Sequence, residues 1–160
     1  RRQRQMCIRD RCLSDDLETL KKLILNFRDT SSRVIVVKVS PDSSDEEVLR
    51  VCEILSNISK TVINVGNSKY IKANTVGLTS KNFSKEGGGL SGKSLYKNTL
   101  RTVKMISSKY DIPIIATGGV SSYENVNELL KNGASLTGMA TLLVSDPFQI
   151  PLINYRLSDD

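Results

Sequence analysis

The sequence lacks histidine and tryptophan, and it has few aromatic residues of any kind. Without histidine, any acid–base chemistry must use other side chains. Aromatic residues make up 5% of the chain, so it has no evident set of rings on which nucleic-acid bases could stack. The net charge of +6 comes from lysines and arginines spread along the chain. This distribution favours a basic solvated surface, open to anionic ligands, over a nucleic-acid interface.

Long apolar runs and paired cysteines are also absent. No stretch of about eighteen apolar residues occurs, so no segment is predicted to span a membrane. The basic start is not followed by the apolar stretch of a signal peptide. Cys7, Cys12 and Cys52 have no metal-like spacing, and a reduced intracellular compartment is the simplest interpretation. Cys52 falls at a core position of a predicted helix, where we expect it to serve packing.

The first dozen residues, RRQRQMCIRDRC, have no hydrophobic period and fit nothing that follows. We interpret residues 1–12 as a non-native or artefactual tail, such as a translated junction, and exclude them from the fold. On this interpretation the natural chain was longer at its beginning. Residues 13–160 are enough for about one domain with a substantial core.

Four short strands, apolar on both faces, alternate with amphipathic helices. After one leading helix, the order is four βα units, which predicts a parallel sheet covered by helices. A doubly wound sheet and a (β/α)₈ barrel both fit this order. A whole barrel takes about 250 residues, so four units would be half of one. The predicted strands are residues 34–39, 61–65, 112–117 and 134–139.

Cap residues mark where the helices begin and end. A polar residue followed three positions later by Glu has the spacing of a capping box, and Asp-Pro is typical of an N-cap and first helical residue. Gly133 is placed just after a helix, as a left-handed end residue. Pro151 should disturb the first turns of the last helix. The predicted helix starts are Asp15 with Glu18, Ser44 with Glu47, Ser121 with Glu124, and Asp146 with Pro147.

Residues 69–92 form a long polar stretch that interrupts the alternation of strands and helices. The stretch is rich in Lys, Ser, Asn and Gly and has no apolar period that would dock it. We therefore expect residues 69–88 to be the least ordered internal part of the chain.

Small and polar residues follow each predicted strand, where both candidate architectures bind ligands. Backbone N–H groups among small side chains suit a phosphate held by a nest or a helix N-terminus. Lys38 stands out, because a lysine buried in an apolar strand loses hydration unless it meets an anion or several acceptors. A strand-end lysine that reaches solvent is the alternative. Gly118 and Gly119 could be turn residues only, and the glycines of residues 87–92 could belong to a surface loop.

Five segments together resemble the C-terminal half of the dihydroorotate dehydrogenase family: VVKVSPD, NVGNS, EGGGLSGKSL, IPIIATGGVSS and NGASLTGMATLL. The resemblance covers residues 33–147, and LSGKSL with GGVSS favours the membrane-associated, quinone-reducing class 2 enzymes. The FMN domain of dihydropyrimidine dehydrogenase is the relative most easily confused with it. The resemblance implies the C-terminal half of a (β/α)₈ TIM barrel that binds FMN and oxidises dihydroorotate to orotate in pyrimidine biosynthesis.

The resemblance also implies roles for single residues. Lys38 would contact the flavin near its N1–C2 edge, where a fixed cation stabilises the charge of the reduced ring. Asn67 and Ser68 match an Asn-Thr pair that holds orotate, and their amide and hydroxyl suit a pyrimidine dione. The implied cofactor-binding residues are Lys38, Gly66, Ser91, Gly92, Gly118, Gly119, Ala140 and Thr141. In three places the family pattern differs: Ser68 replaces the Thr of the orotate-holding pair, Gly66 replaces a Thr that contacts the flavin, and Ala140 replaces a Tyr at the phosphate.

By the same resemblance, some parts of the enzyme lie outside this sequence. These are the catalytic base, a Ser in class 2 or a Cys in class 1A, and the N-terminal helices that associate with the mitochondrial inner or bacterial cytoplasmic membrane. We therefore expect a fragment that is inactive alone, from an enzyme with quinone as electron acceptor. Two alternatives stay open: a phosphate-binding barrel enzyme of other chemistry, and a non-catalytic module that binds a partner through open strand edges.

Overall fold

A computed structural model of the chain describes residues 16–79 and 85–159. The predicted tail, residues 1–12, and the predicted cap Asp15 lie outside the described residues. The helices are α1 Leu17–Thr30, α2 Asp45–Ser56, α3 Tyr96–Ser107, α4 Tyr123–Lys131, α5 Ala140–Ser145 and α6 Gln149–Ser158. The strands are β1 Ile35–Val39, β2 Thr61–Val65, β3 Lys69–Lys72, β4 Gly87–Leu90, β5 Ile114–Thr117 and β6 Leu136–Gly138. Short 3₁₀ helices cover Ala73–Val76 and Lys93–Leu95.

The main sheet has four parallel strands in the order β1-β2-β5-β6. Each of these strands is followed by a helix, so the predicted α/β fold with four βα units is confirmed. β5 begins later than predicted because Pro113 has no N–H to donate to the ladder, although its carbonyl accepts from Ile63 N–H at 3.1 Å. The parallel order brings the carboxyl ends of all four strands to one edge of the sheet.

The two faces of this sheet differ sharply. The face that packs on the helices is buried, and it carries Val39, Ile63, Val65, Ile114 and Ala116. On the opposite face, Val36 is 49% exposed and Leu136 is 62% exposed. In a closed barrel the second face is the interior, so its apolar side chains are the ones that further strands would cover.

Lys38 lies on this open face, and its side chain is exposed. The prediction that the Lys38 side chain is buried is therefore wrong among the described residues. The reason is that an apolar strand pattern predicts burial on both faces, whereas only the helix-facing side of β1 is covered here. Its position at the end of β1 is as predicted.

One of the three predicted capping boxes is present as written. Ser44 Oγ accepts from the Glu47 backbone N–H at 3.2 Å, and Glu47 Oε2 accepts from the Ser44 backbone N–H at 2.6 Å. At α1 the N-cap is Asp16, whose carboxylate accepts from the Thr19 N–H at 3.0 Å. A polar residue can act as N-cap only if its own backbone is non-helical, and the sequence does not show which of several adjacent polar residues meets that condition.

The third of these predicted helix starts, Ser121 with Glu124, was wrong by one residue. Ser122 is the N-cap of α4, and its hydroxyl accepts from the Asn125 N–H at 3.3 Å. Ser121 instead donates its backbone N–H to Asn125 Oδ1 at 3.2 Å. The predicted end is confirmed, because Gly133 follows the C-cap Asn132 with a φ of 103°.

The predicted final helix start, Asp146 with Pro147, was also wrong. Asp146 ends α5 by donating its N–H to the Leu142 carbonyl at 2.8 Å, and α6 begins three residues later at Gln149. Pro151 therefore falls in the first turn of α6, where a backbone N–H has no acceptor within the helix. For this reason it does not interrupt the helix.

The polar stretch after β2 contains an antiparallel hairpin that the sequence did not predict. β3 pairs with β4, and three consecutive glycines of β4 stand opposite Tyr70, Ile71 and Lys72. Glycine is depleted in strands, so its run conceals this strand from propensity rules. The low order expected for residues 69–88 stays a prediction.

Cys52 lies on the side of α2 that faces the hydrophobic core and is fully buried, as predicted. Burial raises the pKa of its thiol to about 12, so the side chain is a neutral packing group at ordinary pH.

Candidate functional site

A cavity of about 440 Å³ opens at the carboxyl ends of the sheet strands. This volume lies within the range of roughly 300–1,000 Å³ that small-molecule sites occupy. The cavity collects nine of the ten site residues that the sequence predicted: Lys38, Asn67, Ser68, Ser91, Gly92, Gly118, Gly119, Ala140 and Thr141. Residues up to 103 positions apart in the chain thus meet at one place because parallel strands end together.

One side of the cavity carries the side chains with polar chemistry. Lys38 is the penultimate residue of β1, and Asn67 with Ser68 follows β2 after the single residue Gly66. Asn67 Oδ1 accepts from the Ser68 backbone N–H at 2.9 Å. This bond fixes the carboxamide by its oxygen and leaves its nitrogen as the hydrogen-bond donor for a ligand. A cation, an amide donor and a hydroxyl therefore lie along the same wall.

The other side is built of backbone and small side chains. A Cβ added at Gly92 would lie 3.9 Å from Thr141 Cγ2, and one added at Gly119 would lie 3.0 Å from the Gly92 carbonyl oxygen. The turn after β5 and the start of α5 therefore approach each other across Gly92. Gly119 has a φ of 75°, and its added Cβ would lie only 2.3 Å from Tyr96 N. Only glycine fits this position, which keeps the backbone open to a ligand.

We call the side of the cavity formed by Gly92, Gly118 and Gly119 the glycine wall. Hydrogen bonds from α3 hold it in place. Thr99 Oγ1 donates to the Gly118 carbonyl at 2.9 Å. Tyr96 Oη donates to Glu128 Oε2 at 2.6 Å and so ties α3 to α4, the helix that follows the glycine turn. Burial, with the Glu128 carboxylate beside the ring hydroxyl, raises the pKa of Tyr96 to about 12. The phenol thus stays protonated as the donor of the bond that links α3 to α4.

Gly66 is the one predicted site residue that lies outside this cavity. It is buried, with a φ of 117°, and an added Cβ would lie 1.3 Å from the Thr117 carbonyl oxygen. The glycine is therefore needed for the close approach of the end of β2 to the end of β5. This placement gives no support to the cofactor contact that the resemblance implied for Gly66.

The cavity also includes residues that were not among the ten predicted site residues. Lys93, Thr117 and Gly138 border it near the glycine wall, and Ser145, Asp146 and Gln149 border it from the α5–α6 corner. Thr117 and Gly138 stand at strand ends, so the strand-end rule could have included them. The α5–α6 residues carry no such signal, because their approach depends on the bend between the two helices.

The donor set fits an anionic, partly aromatic ligand better than a metal ion. Two lysines, backbone N–H groups and hydroxyls line the cavity, and such groups bind phosphate oxygens and heteroaromatic carbonyls. Within residues 16–79 and 85–159, no group of three or more His, Cys, Asp or Glu side chains is placed to hold a metal.

The arrangement defines an α/β protein of the barrel type, with a ligand site at the strand ends. Its fold resembles that of a crystal structure of DHODH from Eimeria tenella in complex with ferulenol. The TM-score is 0.66 at 20% identity, over 80% of this chain and 40% of that chain. At this identity the likeness shows the fold alone.

Sequence comparison supplies the family. The family model for dihydroorotate dehydrogenase matches residues 10–159, and the chain belongs to this family. Enzymes of the family are flavin-dependent in general.

Two relatives show how much of the family's length is shared. Dihydroorotate dehydrogenase (quinone) of Christiangramia forsetii is 32% identical over 148 residues, which cover 91% of this chain and 42% of that protein. The mitochondrial enzyme of the same name from Schizosaccharomyces pombe is 33% identical over 129 residues, 79% of this chain and 28% of that protein. The chain thus spans less than half the length of these relatives. In the part of the chain that the structure describes, no helix is long and apolar enough to cross a membrane.

Proposed function

We propose that the chain forms the C-terminal half of an FMN-dependent dihydroorotate dehydrogenase, which oxidises dihydroorotate to orotate in pyrimidine biosynthesis. The observation that carries the proposal is the meeting of nine implied site residues at one cavity at the strand ends. The names of the relatives support quinone as the electron acceptor. Association with the mitochondrial inner or bacterial cytoplasmic membrane belongs to the same proposal and rests on those names alone.

In this proposal each wall of the cavity has its own task. FMN supplies the two-electron chemistry when it is bound. The Lys38 ammonium balances negative charge on the flavin ring, and the Asn67 carboxamide with the Ser68 hydroxyl holds the pyrimidine dione. The phosphate is bound by backbone and hydroxyl groups on the opposite side, which are those of Ser91, Gly92, Gly118, Gly119, Ala140 and Thr141. We assign no catalytic base among the described residues.

A barrel enzyme that binds only a sugar phosphate is a weaker candidate for the same cavity. The glycine wall would serve any phosphate, but it does not account for Lys38, Asn67 and Ser68 on the other side. A flavin uses both sides, because its ring and its phosphate are separated by the ribityl chain.

The test is a fluorescence titration of the 160-residue chain with FMN and with riboflavin, which lacks the phosphate. We expect FMN to bind at least about tenfold more tightly than riboflavin, equivalent to about 1.4 kcal/mol from the phosphate contacts. Lys38→Met should weaken both ligands, since it acts on the ring. Lys104→Met on the exposed side of α3 is the matched control and should change neither. Equal affinities for FMN and riboflavin would contradict the proposed phosphate site.

A further inference from the structure

Asn64 is a polar residue on the open face of the sheet that the cavity does not include. It is the penultimate residue of β2, a strand otherwise made of threonine, valine and isoleucine. Its carboxamide Oδ1 has less than 1 Å² of exposed surface and no hydrogen-bond partner within the described residues. A buried amide oxygen without a donor is unfavourable, because it has lost its water and gained nothing in return. A hydrogen-bond donor within reach would remove this cost.

The strand register places one strong donor next to Asn64. Lys38 of β1 is the register partner of Asn64, and paired residues of neighbouring parallel strands point to the same face. Adjacent strands lie about 4.8 Å apart, well within the length of a lysine side chain. On the other side, the register partner is Ile115 of β5, which has no donor in its side chain.

Lys38 itself has donors to spare. Its ammonium carries three N–H groups, and the structure gives it no hydrogen bond and no ion pair among residues 16–79 and 85–159. Its side chain is exposed at the cavity and is therefore able to turn towards β2. An unpaired acceptor and an unpaired cation thus stand side by side on one face.

We propose that Asn64 is a positioning residue for Lys38. Its carboxamide oxygen accepts one N–H of the ammonium and holds the cation over β2, below the cavity. The two remaining N–H groups are then directed at a ligand from a fixed point, so less side-chain freedom is lost when the ligand binds. The consequence for FMN rests on the proposed function, whereas the Lys38–Asn64 pair itself does not.

The pair is tested by NMR on the 160-residue chain with ¹⁵N-labelled lysine and asparagine, without any flavin. Ammonium protons held by an acceptor exchange slowly with water, so Lys38 should exchange at least about fivefold more slowly than the exposed Lys104. Asn64→Leu, of similar size without the amide, should remove the difference, and Asn64→Asp, which keeps an acceptor oxygen, should preserve it. Unchanged Lys38 exchange in Asn64→Leu would overturn the proposal.

A second measurement does not depend on the folding of an Asn64 variant. Lys38→Met changes an exposed side chain and should shift the carboxamide resonances of Asn64. Thr117→Val removes the hydroxyl two residues beyond Ile115 and should leave them in place. A shift in Thr117→Val alone would assign the donor to Thr117 and overturn the proposal.

Flavin titration separates this inference from the proposed function. Asn64→Leu should weaken FMN binding about fivefold when Lys38 is present and by less than about twofold in the Lys38→Met background. Equal losses in both backgrounds would show that Asn64 does not act through Lys38. A slow-exchanging Lys38 together with equal affinities for FMN and riboflavin would sustain the pair and contradict the proposed phosphate site.

Discussion

The contribution of Gly66 to the free energy of unfolding can be measured with Gly66→Ala, and Gly77→Ala is a matched control. Both glycines have a positive φ, 117° and 73°, so alanine is strained at either position. An added Cβ at Gly77 meets nothing within 4 Å, whereas one at Gly66 would lie 1.3 Å from the Thr117 carbonyl oxygen. The two substitutions therefore share the backbone penalty and differ in the contact.

The magnitudes follow from this difference. Gly77→Ala should lower the free energy of unfolding by about 1–2 kcal/mol, the usual cost of left-handed backbone for a residue with a Cβ. In Gly66→Ala the Thr117 carbonyl must move by well over an ångström, which separates the ends of β2 and β5. The loss of ladder hydrogen bonds and of the packing beneath them should bring the total to about 4 kcal/mol or more.

The assay is urea unfolding of the two variants and the unchanged chain, followed by far-ultraviolet circular dichroism. If Gly66→Ala loses no more stability than Gly77→Ala, the close approach of β2 and β5 is wrong. The role of Gly66 as a structural glycine would then fall with it.

Four further predictions concern other parts of the molecule. In the complete enzyme, Lys38→Ala should reduce turnover by about tenfold or more while the melting temperature changes little, and near-normal flavin reduction would refute its assigned role. The Ser44 backbone N–H lowers the pKa of Glu47. The stability that this bond contributes is therefore present above about pH 4.5 and is lost as the pH falls through the lowered pKa. The free energy of unfolding of Glu47→Gln, measured against pH, should lack this step. Amide hydrogen exchange over residues 69–79 and 85–88 should be faster than in β2 and β5, and equally slow exchange would contradict the expected low order. The 160-residue chain alone should not reduce a dye with dihydroorotate, because β1 and β6 end the described sheet unpaired on their outer sides; measurable oxidation would show that these residues suffice.

The sequence predicted the alternation of strands and helices because the main-sheet strands are short apolar runs and the helices have clear hydrophobic periods. It predicted the meeting of Lys38, Asn67 and the glycine turns because parallel strands must end at one edge. It could not show that Lys38 is exposed, because an apolar strand pattern predicts burial on both faces, whereas only the helix-facing side of β1 is covered. Nor could it show the β3–β4 hairpin, whose glycine run resembles a loop.

Local choices among neighbouring polar residues were the least predictable. Ser121 and Ser122 have the same side chain, and only the backbone conformation decides which of them caps α4. Gly66 and Gly119 are likewise both glycines that follow a strand in the sequence. Gly66 lies against the Thr117 carbonyl, whereas Gly119 faces the cavity. Sequence spacing does not distinguish these cases, because the difference arises from the approach of separate elements.

The most direct test of the cavity as a flavin site is an amide NMR map of the 160-residue chain during titration with FMN and, separately, with riboflavin. We expect FMN to shift the amide signals of Gly92, Gly119 and Thr141, riboflavin to shift them much less, and the signals of α2 to stay in place. Shifts that are the same for both ligands, or that map away from the strand ends, would contradict this expectation.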